Sequence, residues 1–154
     1  MENYLYFRLQ ATIGDDDDIA QSAMFPASSF MGCYPSGDTS LKVHFKSIFL
    51  QDVAATRVIQ QDTDLTSTSI MVKQPHNLVT DTVILTITAN KHKNVMEAIA
   101  DALNRNHANG GGFVTVADNL TNYTSYLHEN ITACSTITIN TAATGADTYS
   151  SSFA

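Results

Sequence analysis

Strict alternation of apolar and polar side chains is what most limits this chain. Leu41-Lys42-Val43-His44-Phe45-Lys46 alternates without error, putting Leu41, Val43 and Phe45 on one face and Lys42, His44 and Lys46 on the other. Asp81 to Thr88 is a second strong strand, with Val83, Leu85 and Ile87 on the core face and Thr82, Thr86 and Thr88 opposite. A period of two belongs to a strand that is half covered, not to a helix. The second stretch runs into a different period. After Asn90, a good N-cap residue, Val95, Met96, Ile99, Ala102 and Leu103 recur at spacings of three and four, which predicts a helix over about 91–105. The run Gly110-Gly111-Gly112 reads as its exit, and Phe113 to Ala117 returns as a strand. Strand, helix and strand of these lengths suggest a βαβ-like unit of about 35 residues, with parallel strands if the helix crosses over one sheet.

The rest of the chain adds strands and one unusual stretch. Tyr4 to Leu9 reads as a strand with Leu5, Phe7 and Leu9 inward and Tyr4, Tyr6 and Arg8 outward. Residues 19–38 hold Pro26, Gly32, Pro35 and Gly37, which read as an irregular loop. The same stretch carries Met24, Phe25, Phe30, Met31 and Tyr34, too many large apolar groups for a loop left in water, so it is expected to pack over the domain or onto a neighbour. Residues 48–60 fit a strand or a short helix equally. Residues 61–69 read as a turn region, Ile70-Met71-Val72 as a short strand closed by Pro75, and one or two further strands fall between Ser125 and Thr141. In that last region Ile131, Ala133, Ile137 and Ile139 share one parity. Residues 142–154 read as an extended C-terminal tail. The fold class is therefore α+β and mainly β: a sheet or sandwich of six to eight strands with one helix packed on it, forming a single domain over 1–154.

Composition agrees and excludes some functions. Of 154 residues only 15% are charged, against roughly 25% in ordinary soluble chains. The difference is made up by 19 Thr and 13 Ser, which suit strands and protein-covered surfaces. A net charge of -7 with only eight Lys and Arg argues against direct nucleic-acid binding, whose affinity comes largely from cations on phosphate. No stretch of eighteen apolar residues suggests a membrane span, and the N-terminus, broken by Arg8 and the Asp run, does not read as a signal peptide.

No residue pattern names a reaction. His44, His76, His92, His107 and His128 form no metal-ligand spacing, and dispersed surface histidines are the simpler reading. Asp15-Asp16-Asp17-Asp18 after Gly14 invites calcium, since hard oxygen ligands on a loop suit that ion. It lacks alternate spacing and a closing Glu, so a solvated loop is the stronger reading and calcium stays open. Cys33 and Cys134 are too few for a disulfide-stapled scaffold; free buried thiols lead, and a long-range pairing stays open. Phosphate-cradling and nucleophile-elbow motifs are lacking, nothing brings two carboxylates together, and no cofactor is implied. The sequons at Asn119, Asn122 and Asn130 read as by-products of Asn and Thr abundance.

Leu41 to Ser47, then DTVILTITANKHKNVMEAI from Asp81 to Ile99, then Gly112-Phe113-Val114, and finally Tyr126-Leu127-His128 with Ile131 to Cys134, resemble small virion structural proteins of marine tailed bacteriophages, chiefly those of cyanobacteria. The opening Asn3 to Arg8, the acidic run and Phe25 to Phe30 belong to the same resemblance. It implies a particle component, made in a host cytoplasm and located in the virion, without naming a site. The expected role is a non-enzymatic capsid decoration or minor capsid protein, with copies of itself and a major capsid protein as partners. The alternatives are a tail-tube or tail-adaptor subunit, or a ligand- or carbohydrate-binding module on the particle surface. Expected contact residues are Tyr4, Tyr6, Arg8, Met24, Phe25, Phe30, Met31 and Tyr34.

Overall fold

The computed structural model describes residues 2–48, 56–61, 68–73, 80–105 and 112–140. Along the chain run β1 (Tyr4–Arg8), β2 (Ser22–Pro26), a 3-10 turn (Ala27–Ser29), β3 (Phe30–Gly37), β4 (Ser40–Lys46), β5 (Thr56–Gln61), β6 (Thr68–Lys73), β7 (Thr80–Ile87), α1 (His92–Leu103), β8 (Phe113–Asp118), β9 (Ser125–Tyr126) and β10 (Ile131–Thr138). Sheet A has the order β2-β1-β8-β9 and sheet B the order β10-β7-β4-β3, while β5 and β6 pair with each other. Among the described residues the fold is thus mainly β, two sheets of four strands and the β5–β6 pair with one helix. Residues 49–55, 62–67, 74–79 and the expected tail 142–154 lie outside the described residues.

The two sheets meet through aromatic rings. Phe25 on β2 stacks on Phe45 of β4 at a centroid distance of 4.1 Å, and Phe7 of β1 meets both edge-on at 6.0 and 5.7 Å. Around them Leu5, Leu41, Val43, Val83, Leu85 and Ile87 are buried from both sheets, as the alternation of β4 and β7 predicts. The helix contributes Val95, Ile99 and Ala102 to the same cluster, with Met96 and Leu103 partly covered. Asn3 holds its C-terminal end, the amide donating to the carbonyls of Ala102, Leu103 and Arg105 at 3.0, 3.2 and 2.9 Å. At the other end His92 Nε2 donates to the carbonyl of Gly37, the last residue of β3, at 2.8 Å. One helix is therefore tied to sheet A at its end and to sheet B at its start.

Asp81 shares the inward parity of Val83 and is fully buried. Its carboxylate is satisfied by two backbone donors, Ile48 N at 2.7 Å and Asn140 N at 2.9 Å. Both are chain segments flanking sheet B, and a buried carboxylate is tolerable only with such partners.

Several expectations change. Residues 19–38 are not an irregular loop: they form β2, the 3-10 turn and β3. Both strands are sheet edges, where Pro26 and Pro35 leave no ladder donor missing from an interior pair. The strand–helix–strand unit is not a crossover within one sheet, because β7 lies in sheet B and β8 in sheet A; the parallel pair is β1 with β8. Asn90 does not cap the helix. It sits in the left-handed region at φ 62° in the preceding turn, and Lys91 occupies the cap without a side-chain bond. In β10 the register shifts after Ile131 and after Cys134, so Cys134 turns inward and Ala133 is only half-buried.

Candidate functional site

A strand sheet that buries one face must show the other, and here the two outward faces differ in chemistry. On sheet A the outward positions of β1 are Tyr4 and Tyr6. Register places Met24 of β2 opposite Tyr6, and Pro26 and Phe113 opposite Tyr4 on its two sides. The Tyr6 and Phe113 rings lie 5.2 Å apart. Phe113 is 56% exposed and Met24 46% exposed, with Tyr4 exposed and Tyr6 half-buried beside them. Three neighbouring strands therefore present one contiguous aromatic and thioether patch to solvent, an arrangement typical of surfaces that other molecules cover.

On sheet B the outward row of β4 is Ser40, Lys42, His44 and Lys46, flanked on β7 by Thr86, Ile84, Thr82 and Thr80. Tyr34 of β3, 49% exposed, stacks on His44 with centroids 5.2 Å apart. The His44 ring is hydrogen-bonded on both sides, to Tyr34 Oη and to Thr80 Oγ1, each at 3.2 Å. Partial burial, and secondarily the charge of Lys42, push its pKa below 6.5.

The eight expected contact residues divide accordingly. Tyr4, Tyr6 and Met24 come together on sheet A, whereas Met31 and Tyr34 are exposed on β3 of sheet B. Phe25 is fully buried in the core and not available to a partner, since edge strands carry inward side chains like any other, while Phe30 is partly buried and packs against that core. Arg8 is also a correction. Its alternation with buried Phe7 is intact, but the β1–β2 loop closes over it and Arg8 is 7% exposed. Its guanidinium donates to Asp16 Oδ2 at 2.7 Å and to the carbonyls of Gln10 and Thr12 at 2.8 Å each, with Asp118 at 3.9 Å. It organises the β1–β2 loop that covers it and is not open to a partner. Phe113 is the contact residue the sequence reading missed; alternation with buried Val114 and Val116 marks it as outward.

The acidic run and the cysteines take definite places. Asp16 is held by Arg8, and Asp18 Oδ1 accepts from Ile19 N at 2.6 Å, while Asp15 and Asp17 are exposed. Among the described residues no three His, Cys, Asp or Glu side chains are grouped as a metal site. Cys33 and Cys134 are free thiols, on β3 and β10. These are opposite edges of sheet B, about 14 Å apart at three strand spacings, beyond disulfide reach. Burial raises both thiols, Cys134 to about 12. Asn119 is enclosed: its amide donates to Leu9 and Cys134 carbonyls at 2.9 and 2.8 Å, and its oxygen accepts from Cys134 N and Tyr126 Oη at 2.9 and 3.1 Å.

Comparison with protein-family models, with curated proteins and with solved structures finds no match.

Proposed function

We propose that this chain is a non-enzymatic structural subunit of a phage particle, a capsid decoration or minor capsid protein, and that it joins other virion proteins by burying the outward face of sheet A. The carrying observation is the Tyr4, Tyr6, Met24 and Phe113 patch across β1, β2 and β8. The resemblance of most of the chain to small phage virion proteins supplies the setting. The energetics suit the role: a large apolar side chain gains about 1.5–3 kcal/mol on full burial, before ordering costs. Aromatic and Met side chains are the groups that interfaces concentrate.

The test is Tyr6→Ser combined with Phe113→Ser. Both side chains face outward, so the circular dichroism spectrum should be parental and the melting free energy within about 0.5 kcal/mol per site. Sedimentation should show lost self-association, or the variant should fail to enter particles when made alongside the other virion proteins. A folded variant that assembles with parental affinity would overturn the reading. Co-assembly of the parent protein with tail-tube components and not with capsid components would assign it to the tail instead.

A further inference from the structure

The outward face of sheet B is built differently from that of sheet A, and among the described residues its charge has no ion-pair partner. Lys42, His44 and Lys46 stand at alternate positions of β4, a central strand. Lys42 and Lys46 are about 13 Å apart at the rise of an extended chain, a span that two long side chains can close around a short segment. The flanking outward groups are Tyr34 and the hydroxyls of Thr80, Thr82 and Thr86. The one carboxylate of β7, Asp81, points inward and is consumed by two backbone donors. Among the described residues no carboxylate pairs with Lys42 or Lys46, the ion pairs being Arg8 with Asp16 and Asp118, and Lys93 with Glu97.

The same molecule carries an exposed acidic element on the other sheet. The β1–β2 loop is not a loose tether: Arg8 fixes it through Asp16, Gln10 and Thr12, and Asp18 folds onto the backbone of Ile19. That leaves Asp15 and Asp17 exposed on a loop whose shape is already set. Because the loop belongs to sheet A and the cationic row to sheet B, complementary charges occupy different parts of one subunit.

We propose that the outward face of sheet B receives the Asp15–Asp18 loop of a second copy of this chain. Contact of one patch with a different patch is heterologous, so each copy that accepts a loop still offers its own, and the association extends or closes into a ring. The cations and hydroxyls of the face give donors to carboxylate oxygens, and charge complementarity sets register and encounter rate more than affinity. The contact is consequently weak and sensitive to salt. It involves the opposite sheet from the aromatic patch and stands whether or not that patch binds a partner.

Charge exchange tests it. Lys42→Glu with Lys46→Glu reverses the face. Asp15→Lys with Asp17→Lys reverses the loop while leaving the Asp16 and Asp18 bonds in place. At low ionic strength the parent should self-associate in sedimentation, and added salt should disperse it. Each reversed variant alone should associate about tenfold or more weakly than the parent, the scale of losing two complementary charges at once. Mixed together, the two variants should co-assemble in alternation, since the intact loop of the first meets the intact face of the second and the reversed loop of the second meets the reversed face of the first. A chain carrying all four changes should recover self-association. Near-parental circular dichroism in all three separates these outcomes from misfolding. A parent that remains monomeric at low salt, variants that associate like the parent, or a mixture that does not co-assemble would each overturn the inference. Since Tyr6 and Phe113 are untouched, those failures leave the sheet A reading standing; its own failure leaves this one.

Discussion

The outward faces of the two sheets are made from the same alternating pattern, yet one exposes rings and a thioether and the other exposes amines and hydroxyls. On sheet A the strand neighbours of Tyr6 are Met24 and Thr115, with Phe113 close by. On sheet B the strand neighbours of Lys42 are Tyr34 and Ile84, and those of His44 are Gly32 and Thr82. Both sheets share one core through the Phe7, Phe25 and Phe45 rings. The difference is therefore not needed for folding: burial of the inward set stabilises either outward chemistry. Side chains that the fold does not require are where selection for contact is written.

The strongest way to break the comparison is to remove what the faces share. Phe45→Ala deletes the ring that meets Phe7, Phe25 and Phe30. It should cost about 3–5 kcal/mol by lost transfer energy and cavity formation. Chemical denaturation should show both sheets failing together; separate transitions for the aromatic and cationic faces would mean that the shared core does not couple them.

Next in size is the polar seam between sheets. Asn119 joins Leu9 beyond β1 with Cys134 of β10 and with Tyr126 of β9. Asn119→Ala strands buried backbone groups on both sides, at about 1–3 kcal/mol. The loss should be read as a lower denaturation midpoint with an unchanged slope. An unaltered midpoint would mean that water replaces the amide at no cost.

These two residues also mark how far the sequence could be read. Phe45 was legible, because an unbroken alternation over Leu41 to Lys46 permits only one inward set, and all three inward residues are buried. The helix was legible for the same reason, its stripe burying Val95, Ile99 and Ala102. Asn119 was not, since four hydrogen bonds to three residues in separate segments leave no local trace. Phe25 was misplaced because Pro26 and Pro35 read as ending strands, whereas an edge strand has no interior ladder to lose. Arg8 keeps the outward parity of Tyr4 and Tyr6, and what alternation could not show is that the β1–β2 loop folds back over it. The outward patch was half legible: Tyr4 and Tyr6 share a strand, but Met24 and Phe113 join them only through pairing across the sheet.

A smaller effect sharpens the contrast on sheet A alone. Met24→Thr replaces an exposed thioether by a strand-favouring residue opposite Tyr6. Stability should stay within about 0.5 kcal/mol, while association through the aromatic face weakens. A clear loss of stability would mean that Met24 supports the subunit rather than its contacts.

The smallest effect belongs to His44 and reports on the cationic face. Partial burial and the nearby Lys42 disfavour its charged form, so its folded pKa lies below the 6.5 of the free side chain. The facing groups are Tyr34 from β3, Lys42 and Lys46 from its own strand, and Thr80 and Thr82 from β7. With a depressed folded pKa, the unfolded chain takes up the proton first on acidification. The contribution to stability is then fully present above pH 6.5 and is lost as pH falls through the folded pKa. His44→Gln should remove that part of the pH dependence and leave stability near neutral pH nearly unchanged. Titration of the ring protons by NMR in dilute protein should give a midpoint below 6.5; a midpoint at or above it would overturn the assignment. Concentration then discriminates further. Carboxylates of a second copy docked beside His44 favour its charged form, so the midpoint should climb as the low-salt sample is concentrated and fall back when salt is added. The Asp15→Lys, Asp17→Lys variant keeps its own face intact but supplies no acidic loop, and its His44 midpoint should not move with concentration at all.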